Sequence, residues 1–410
     1  MAKTMTRQST VAMKTVSRSQ SVDLDSSPEL SVVIPCLDEV ETLASCIEKA
    51  QQCLQEHNID GEIIVADNGS VDGSRRVATR MGARLIEVAH KGYGAALMGG
   101  IEAARGRFII MGDADDSYDF REIPRFLKKL REGFDLVQGC RLPAGGGKII
   151  PGAMPILHRR LGNPMFSTMG RRMFGAPVHD VYCGLRGFTK ELYQKLDQRC
   201  TGMEFAIEMI IKSVLHRAKI AEVPITLYPD GRKAHPPHLK TFRDGWRTMR
   251  FFLLYSPRWL FLIPGALLIL LGLVGYGLAL PGLTVFGAKL DAHTLLFSSL
   301  FVLLGYQSVV FAIFATTFAI SQRLMPEDEQ ISRFFVFVKL ERGLILGTVI
   351  LLVGFALLLG AINQWRLADF GNLEYARTMR LVIPGATLAA LGFQTVLSSF
   401  LISLLGMRRK

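Results

Sequence analysis

The chain has 410 residues, a net charge of +12 and 49% hydrophobic residues, and its last third is almost entirely apolar. This length accommodates two or more domains, and the clustering of apolar residues at one end excludes a purely soluble protein. The basic residues crowd near the start of the apolar third, and no nucleic-acid-binding motif accompanies them. Their placement favours anionic lipid headgroups as partners over nucleic acid.

The amino-terminal tail and the cysteines both indicate a cytosolic start to the chain. The first 27 residues hold ten Ser or Thr and no sustained apolar run. Because the core of a signal peptide is missing, we predict that residues 1–29 form a disordered tail. All six cysteines precede the first apolar span and show no zinc-type spacing, so free thiols in a reducing compartment are expected. They are Cys36, Cys46, Cys53, Cys140, Cys183 and Cys200.

Between residues 30 and 230, short apolar runs alternate with amphipathic stretches. Residues 31–34 and 62–65 are typical of buried parallel strands, and further strands are predicted at 84–88, 107–111, 135–139 and 219–223. The stretch between the first two strands carries apolar residues at helical spacing: Leu43, Ile47, Ala50 and Leu54. This alternation predicts an α/β domain with a mostly parallel sheet and helices on both faces. Ligands are expected beyond the carboxyl ends of its strands.

Four apolar stretches near 259–280, 294–320, 343–363 and 381–406 are each long enough to cross a bilayer as a helix. The segment before them, 231–258, is basic. Its arginines recur at helical spacing among aromatic residues, which predicts an interfacial helix; packing on the globular domain is the alternative. These residues are Arg243, Arg247 and Arg250, with Trp246, Phe251 and Phe252. By the positive-inside tendency, both termini and the domain at 30–230 are expected in the cytosol.

An acidic motif, Asp-Ala-Asp, directly follows the predicted strand at 107–111. Its carboxylates, Asp113 and Asp115, stand two residues apart where the strand ends, so they can share one hard divalent cation such as Mg²⁺ or Mn²⁺. Asp116 and Asp119 lie nearby but are more typical of caps for the following helix.

Acidic groups also follow the first two predicted strands. Residues 33–39 read Val-Ile-Pro-Cys-Leu-Asp-Glu, and residues 65–74 read Val-Ala-Asp-Asn-Gly-Ser-Val-Asp-Gly-Ser. Acids at adjacent strand ends can hydrogen-bond a nucleobase and its ribose, whereas the alternative is that Glu39 caps a helix and Asp72 belongs to a turn. Their occurrence in this order before the acidic motif favours nucleotide binding. The sequence Lys-Gly-Tyr-Gly from Lys91 opens a predicted helix, where it can meet an anion or simply begin the helix.

This ordered set resembles glycosyltransferase family 2, and most closely its polyprenyl-phosphate branch, which includes dolichol-phosphate mannose and polyprenyl-phosphate glucose synthases. The resemblance implies a GT-A fold over roughly 30–230, with Asp115 as a metal ligand and Asp113 binding nucleotide or metal. It also implies a set of residues that bind the nucleotide-sugar: Pro35, Leu37, Glu39, Val65, Asp67, Lys91, Gly92 and Ala114. Asp38 replaces a usual Asn and Asn68 a usual Asp, so the base preference is left open.

Downstream matches extend the resemblance to catalytic and acceptor residues. Arg141 matches the arginine that meets donor phosphates, and Arg159 and Arg160 match those that receive the lipid phosphate, although a solvated basic face is the alternative. Residues 180–188 resemble the acceptor-site stretch. There Asp180 would orient substrate or act as a base, and Arg186 would bind the acceptor phosphate.

The sequence leaves open the role of Glu204 and the role of the segment at 230–240. Glu204 is a second-rank candidate, and both it and Asp180 would alternatively be buried partners of Arg186. The family's closing segment, Arg followed by Gly-x-Ser-Lys, is altered to Asp-Gly-Arg-Lys-Ala-His-Pro-Pro-His-Leu-Lys at 230–240. Arg232 is its best match for donor binding, and Lys240 is a second-rank one.

The activity implied is inverting transfer of a sugar from a nucleotide-sugar to polyprenyl phosphate, with UDP-glucose favoured and GDP-mannose as the other candidate donor. Mg²⁺ or Mn²⁺ is the expected cofactor, and a homo-oligomer is left open. One alternative is a processive polysaccharide synthase, which the family equips with a QxxRW element; here Gln364-Trp365-Arg366 lacks that spacing. The other is a lipid-linked sugar flippase, against which the absence of ionisable residues at mid-membrane argues.

Overall fold

The computed structural model describes residues 27–232, 241–285, 287–322, 325 and 340–406. Among these described residues, nine strands occur before the membrane region: β1 (Leu30–Cys36), β2 (Gly61–Asp67), β3 (Arg84–Glu87), β4 (Phe108–Met111), β5 (Leu136–Cys140), β6 (Lys148–Ile149), β7 (Arg186–Thr189), β8 (Ile220–Pro224) and β9 (Thr226–Leu227). Seven of them form one sheet in the order β3-β2-β1-β4-β7-β5-β8, and β6 pairs with β9 separately. All six predicted strands are present.

The sheet is parallel except at β7, which runs antiparallel between β4 and β5. Strand β1 pairs in parallel with β2 and β4. The carboxyl ends of these three strands therefore meet at one edge of the sheet. Sequence reasoning missed β7 because its residues, Arg-Gly-Phe-Thr, include neither an apolar run nor a regular alternation.

Helices cover both faces of this sheet, as expected. The helices of the domain are α1 (Leu43–Glu56), α2 (Ser74–Arg80), α3 (Tyr93–Ala103), α4 (Ile123–Arg131), α5 (Asn163–Phe174), α6 (Lys190–Leu196) and α7 (Phe205–Leu215). Alternate residues of β1 enter the two cores: Val32 and Ile34 pack with α1 and α4, and Val33 packs with α3 and α7. Each large apolar side chain buried this way stabilises the fold by about 1.5–3 kcal/mol relative to an exposed one.

The remaining helices are α8 (Thr241–Leu254), α9 (Ile263–Ala279), α10 (Ala292–Ser321), α11 (Leu340–Leu367) and α12 (Tyr375–Gly406). A π-helical turn, Arg258–Leu262, leads directly into α9, and a short hairpin of β10 (Thr284–Val285) and β11 (Ala288–Lys289) precedes α10. Four of these helices, counting α9 with its π turn, are long and apolar enough to cross a membrane. They coincide with the four predicted stretches.

Small residues and hydroxyls join the four long helices. Gly265 of α9 faces Gly305 of α10, and Gly354 of α11 faces Ala389 of α12, so the backbones of each pair approach closely. The Tyr276 hydroxyl bonds both the Ser299 and Thr387 hydroxyls, at 2.5 and 3.1 Å. That bond pattern links α9, α10 and α12 into one bundle.

Candidate active site

The loops that follow β1 and β2 are locked together by hydrogen bonds. The Asp38 N–H donates to Ser70 Oγ at 2.9 Å, and the Val71 N–H donates to Asp38 Oδ1 at 2.8 Å. The Glu39 N–H donates to Ser74 Oγ at 2.8 Å. Asp38 adopts φ +58°, a left-handed conformation that aspartate tolerates better than most residues. These hydrogen bonds join the two loops into one continuous wall of the site, beside Pro35 and Leu37.

Asp67, the last residue of β2, holds the loop that follows β2 through hydrogen bonds to its backbone. Its carboxylate accepts bonds from the Gly69 and Ser70 N–H groups and from Arg75 Nε at 2.7 Å, and its side chain has no exposed surface. Burial raises its pKa, but these hydrogen bonds outweigh burial and lower it overall. Val65 is likewise fully buried, in the core of β2. Asp67 and Val65 thus both lie beneath the surface, and their contact with the nucleoside stays a prediction.

Asn68 occupies the position where the family usually has Asp, and its amide explains the difference. Its Nδ2 donates to the Val88 and His90 carbonyls at 3.1 and 2.7 Å, and its Oδ1 accepts from the Gly92 N–H at 2.7 Å. A carboxylate has no N–H group to make the first two bonds. Asn68 thus anchors the loop before α3.

At the glycine-rich start of α3, backbone N–H groups that could bind an anion are hydrogen-bonded to other parts of the protein. The Gly92 N–H is taken by Asn68, and the Ala95 N–H donates to the Thr201 carbonyl at 3.1 Å. Gly92 has φ +135°, and a Cβ there would overlap that same carbonyl. Lys91 is exposed and donates its Nζ to the Asn68 carbonyl at 2.5 Å. The glycines serve close packing here, and the binding of a donor anion by Lys91 and Gly92 stays a prediction.

Asp113 and Asp115 lie together at the end of β4, as expected. Asp113 Oδ1 accepts the Tyr93 hydroxyl at 2.8 Å, and Asp115 Oδ1 accepts the Ser117 N–H and hydroxyl at 3.0 and 2.6 Å. Burial and then the charge of Asp115 raise the pKa of Asp113 to about 6. Ala114 between them is buried, with its carbonyl 3.5 Å from Cys46 Sγ.

This donor set fits a hard divalent cation. The two carboxylates repel one another, and a cation between them would remove the repulsion that raises the pKa of Asp113. Among the residues that the structure describes, no cluster of three or more His, Cys, Asp or Glu side chains could hold a metal alone. The remaining ligands would therefore be water and donor phosphates, the partners that Mg²⁺ usually keeps.

The nearby acids have structural roles. Asp119 caps the turn before α4, accepting the Arg121 N–H at 3.0 Å, as predicted. Asp116 does not cap that helix: it adopts φ +59° and pairs with Lys49 of α1 at 2.7 Å. Asp116 thereby ties the acidic loop to α1.

Arg232 joins the ends of β1 and β4. Its guanidinium lies 2.9 Å from Glu39 Oε1 and 3.5 Å from Asp115 Oδ2, and its side chain is almost buried. Burial opposes its charge, but Asp230, Glu39 and Asp115 raise its pKa overall. Glu39 is therefore an ion-pair partner of Arg232, rather than merely a helix cap.

The backbone around Arg232 is tied to the acidic loop. The Gly231 N–H donates to the Asp115 carbonyl at 2.9 Å, and the Tyr228 N–H donates to the Ser117 carbonyl at 3.0 Å. Lys240, predicted from the same segment, lies outside the described residues. The part of the closing segment that the structure describes thus covers Asp115.

Asp180 is the buried partner of Arg141. Its carboxylate accepts both Nε and Nη2 of that arginine at 2.7 and 2.9 Å, and it also accepts the Tyr182 N–H. The Asp180 side chain is 0% exposed and that of Arg141 is 10% exposed. The alternative pairing of Asp180 with Arg186 is therefore wrong, whereas its role as a substrate base stays a prediction. Arg141 Nη1 reaches the Tyr118 hydroxyl at 3.3 Å.

Arg186 is also buried, and its contact with a lipid phosphate stays a prediction. It stands in β7 with no exposed surface, and its Nη atoms donate to the Ala206 and Cys183 carbonyls at 2.6 and 2.7 Å. Glu204 is not its partner: a Glu204 carboxylate oxygen lies 3.7 Å from Arg247 Nε of α8. Glu204 therefore connects the 180–204 region with α8.

Arg159 and Arg160 are exposed on a π-helical turn, His158–Gly162, that leads into α5. Large apolar side chains beside them are also exposed: Ile156 at 73% and Leu161 at 58%. Helix α5 packs against α8, the predicted interfacial helix, through the Phe166 and Phe252 rings. Arg159 and Arg160 thus share one surface with exposed apolar groups next to the helix that precedes the spans.

Sequence reasoning missed three hydroxyl residues: Tyr93, Ser117 and Tyr118. Tyr118 accepts the Gly184 N–H at 2.9 Å beside Asp113. Each lies inside or next to a motif that was noticed for its glycines or carboxylates. The available signal was a hydroxyl residue within two positions of those groups.

Two family models match this chain. Glycosyl transferase family 2 matches residues 31–197, and glycosyltransferase family 2 C-terminal transmembrane region matches residues 313–406. The low-salt glycan biosynthesis hexosyltransferase Agl6 of Haloferax volcanii is 38% identical over 388 residues, covering 94% of this chain and 91% of that protein. The chain belongs to glycosyltransferase family 2.

Shorter relatives match the catalytic domain. The dolichyl-phosphate hexose transferase of Haloferax volcanii is 30% identical over 218 residues, covering 53% of this chain and 89% of that protein. A solved glucosyl-3-phosphoglycerate synthase from Mycobacterium tuberculosis, in complex with Mn²⁺ and UDP, is 22% identical with a TM-score of 0.43, covering 56% of this chain and 78% of that one. The chain thus carries a glycosyltransferase family 2 domain followed by that family's C-terminal transmembrane region.

Proposed function

We propose that this chain transfers a hexose from a nucleotide-sugar to polyprenyl phosphate at a membrane surface, with inversion at the anomeric carbon. UDP-glucose is the favoured donor and GDP-mannose the other candidate. The observation that carries the proposal is the junction of Glu39, Arg232 and Asp115 at the carboxyl edge of the sheet. The chain reaches α8 only nine positions after Arg232, so donor and lipid chemistry belong to adjoining segments. The name of the dolichyl-phosphate hexose transferase agrees with this acceptor class.

The donor would lie against the wall formed by the β1 and β2 loops. Leu37 and Glu39 remain the candidates for the nucleoside from that wall, with Pro35 beneath them. A divalent cation at Asp115, with Asp113 beside it, would neutralise charge building on the nucleoside diphosphate as the bond to the sugar breaks. Arg232, already 3.5 Å from Asp115, adds a fixed positive charge at that point.

The acceptor phosphate is the nucleophile in this proposal. One of its oxygens forms the bond to the anomeric carbon, and the electron pair of the broken bond leaves with the nucleoside diphosphate. A phosphate monoester has its second pKa near 6, so it is mostly dianionic at pH 7 and needs less help from a base than a sugar hydroxyl would. The burial of Asp180 is compatible with this chemistry. Arg159 and Arg160 are proposed to receive the phosphate, since a guanidinium fork matches its oxygens.

Helix α8 and the turn before α5 support the proposed membrane placement. The π-helical turn before α5 and helix α8 both carry exposed apolar and basic side chains, such as Leu161 at 58% exposed and Trp246 at 65%, which suits the headgroup boundary of an anionic bilayer. We propose that this surface faces the cytosolic leaflet and that both termini are cytosolic.

Asp115→Ala in liposome-reconstituted protein tests the proposal. We expect transfer to be abolished while the variant stays folded and membrane-bound, because the cation loses its main ligand. Asp119→Ala, four residues on, is the matched control and should keep its activity. Near-normal transfer by Asp115→Ala would refute the metal role.

The same transfer assay distinguishes the proposed function from two alternatives, a processive synthase and a flippase. A processive synthase would give a long polymer instead of a lipid carrying one sugar, which gel mobility distinguishes. A flippase would still move a lipid-linked sugar across the bilayer after Asp115→Ala, because that activity needs no donor site.

A further inference from the structure

Asp113 is held from both sides. The Tyr93 hydroxyl donates to its Oδ1 at 2.8 Å. Its Oδ2 lies against Gly184, where any Cβ would overlap that oxygen. The carboxylate therefore has one defined orientation in the structure, set by a hydroxyl on one oxygen and by a bare glycine on the other.

Tyr93 is itself fixed by the backbone on either side of it. It is the first residue of α3, between Gly92 and Gly94. A Cβ on Gly92 would overlap the Thr201 carbonyl, and one on Gly94 would overlap the Cys200 carbonyl. The backbone around residues 200–202 thus lies in close contact with both neighbours of Tyr93. Larger residues at positions 92 and 94 would displace the Tyr93 ring.

That loop is anchored to a buried ion pair in α7. Glu208 and Lys212 lie 2.7 Å apart with almost no exposed surface. Glu208 accepts the Cys200 N–H at 2.8 Å, and Lys212 Nζ donates to the Asp197 carbonyl at 2.6 Å. A continuous set of contacts therefore runs from the core, through the 197–202 loop, to the Tyr93 hydroxyl.

We propose that Tyr93 is a positioning residue for the metal site, holding Asp113 oriented beside Asp115 so that a divalent cation binds without rearrangement. This proposal rests on the proposed function, which places a cation at these aspartates. Groups that hydrogen-bond a metal-ligating carboxylate typically change metal affinity by 10- to 100-fold when they are removed. The Lys-Gly-Tyr-Gly sequence then serves the metal site through its tyrosine, while its glycines let the helix start fit the loop.

The test is the affinity of the full chain in detergent for Mn²⁺ alone, measured from the electron paramagnetic resonance signal of free Mn²⁺. Tyr93→Phe keeps the ring and removes the hydroxyl, and we expect its Kd for Mn²⁺ to rise by about tenfold. Tyr193→Phe is the matched control, because that ring stacks on Phe188 in the same domain, and its Kd should equal that of the wild type. A Tyr93→Phe protein with wild-type affinity overturns the proposal.

A double-mutant cycle shows whether Tyr93 acts through Asp113. In an Asp113→Asn background, Tyr93→Phe should cause no further loss of Mn²⁺ affinity, whereas an undiminished loss would overturn the positioning role. If Tyr93→Phe does not fold, Gly184→Ala displaces the same carboxylate from its other oxygen. That variant should also weaken Mn²⁺ binding, and an unchanged Kd would overturn the proposal.

The outcomes separate this inference from the proposed function. A wild-type chain that binds no Mn²⁺, or an Asp115→Asn variant that binds it normally, overturns the metal assignment and this inference together. Normal dependence on Asp115 with no effect of Tyr93→Phe overturns the role of Tyr93 alone.

Discussion

Asp180→Asn distinguishes a positioning carboxylate from a catalytic base. The variant leaves Arg141 without its charge partner at a site where the two side chains are 10% and 0% exposed. Removing one member of such a buried pair typically costs about 3–5 kcal/mol. For a domain of this size, about 2–4 °C per kcal/mol converts that loss into a fall in melting temperature of roughly 6–20 °C. Activity should fall because Arg141 is no longer held in place.

The assay is thermal unfolding of the purified chain together with the pH dependence of sugar transfer. Asp197→Asn is the matched control, since its pair with Arg199 is largely exposed and should contribute no more than about 1 kcal/mol. We expect the residual activity of Asp180→Asn to keep the wild-type pH profile. An Asp180→Asn protein of wild-type stability that loses one limb of that profile would identify Asp180 as a base and refute the reasoning.

Three further predictions concern the loops and the membrane helices. Asn68→Asp should lower the free energy of unfolding by about 1–3 kcal/mol, because two part-buried backbone carbonyls lose bonds that contribute about 0.5–1.5 kcal/mol each; thermal unfolding checks this. Asp67→Asn should be less stable than the wild type at neutral pH, because the Asp67–Arg75 ion pair is lost. The folded-state pKa of Asp67 is lowered from 3.8, so its stabilisation is complete above pH 3.8, and the difference in melting temperature should shrink as pH falls below that value. Gly354→Ala should weaken packing of α11 on α12 and speed proteolysis of the membrane region, whereas Gly360→Ala, which meets open space, should not.

Most of the fold was predictable because it depends on local pattern. The central strands are buried on both faces and so appear as continuous apolar runs, and the α1 residues recur at helical spacing and are all buried. Strand β7 was not predictable in this way. It places Arg186 in the core, and the carbonyls that satisfy that charge come from distant positions such as Ala206.

The residues of the site also divide into those that the local sequence pattern could place and those that it could not. Asp113 and Asp115 could be placed from sequence, because the strand before them fixes where they emerge. The partner of Asp180 could not, since Arg141 and Arg186 are equally available in the sequence and only the folded topology brings Arg141 to it across 39 positions. Contacts of this kind depend on strand order, which the motifs do not encode.

The most direct test of the central claim is the mass of the lipid product. Purified chain in liposomes would be given a nucleotide-sugar panel that includes UDP-glucose and GDP-mannose, with Mn²⁺ and polyprenyl phosphate, and the lipid extract analysed by mass spectrometry. We predict polyprenyl phosphate carrying one hexose, formed with at least one donor and absent with Asp115→Ala. A lipid extract containing only unmodified polyprenyl phosphate with every donor, or a polymer in its place, would contradict the account.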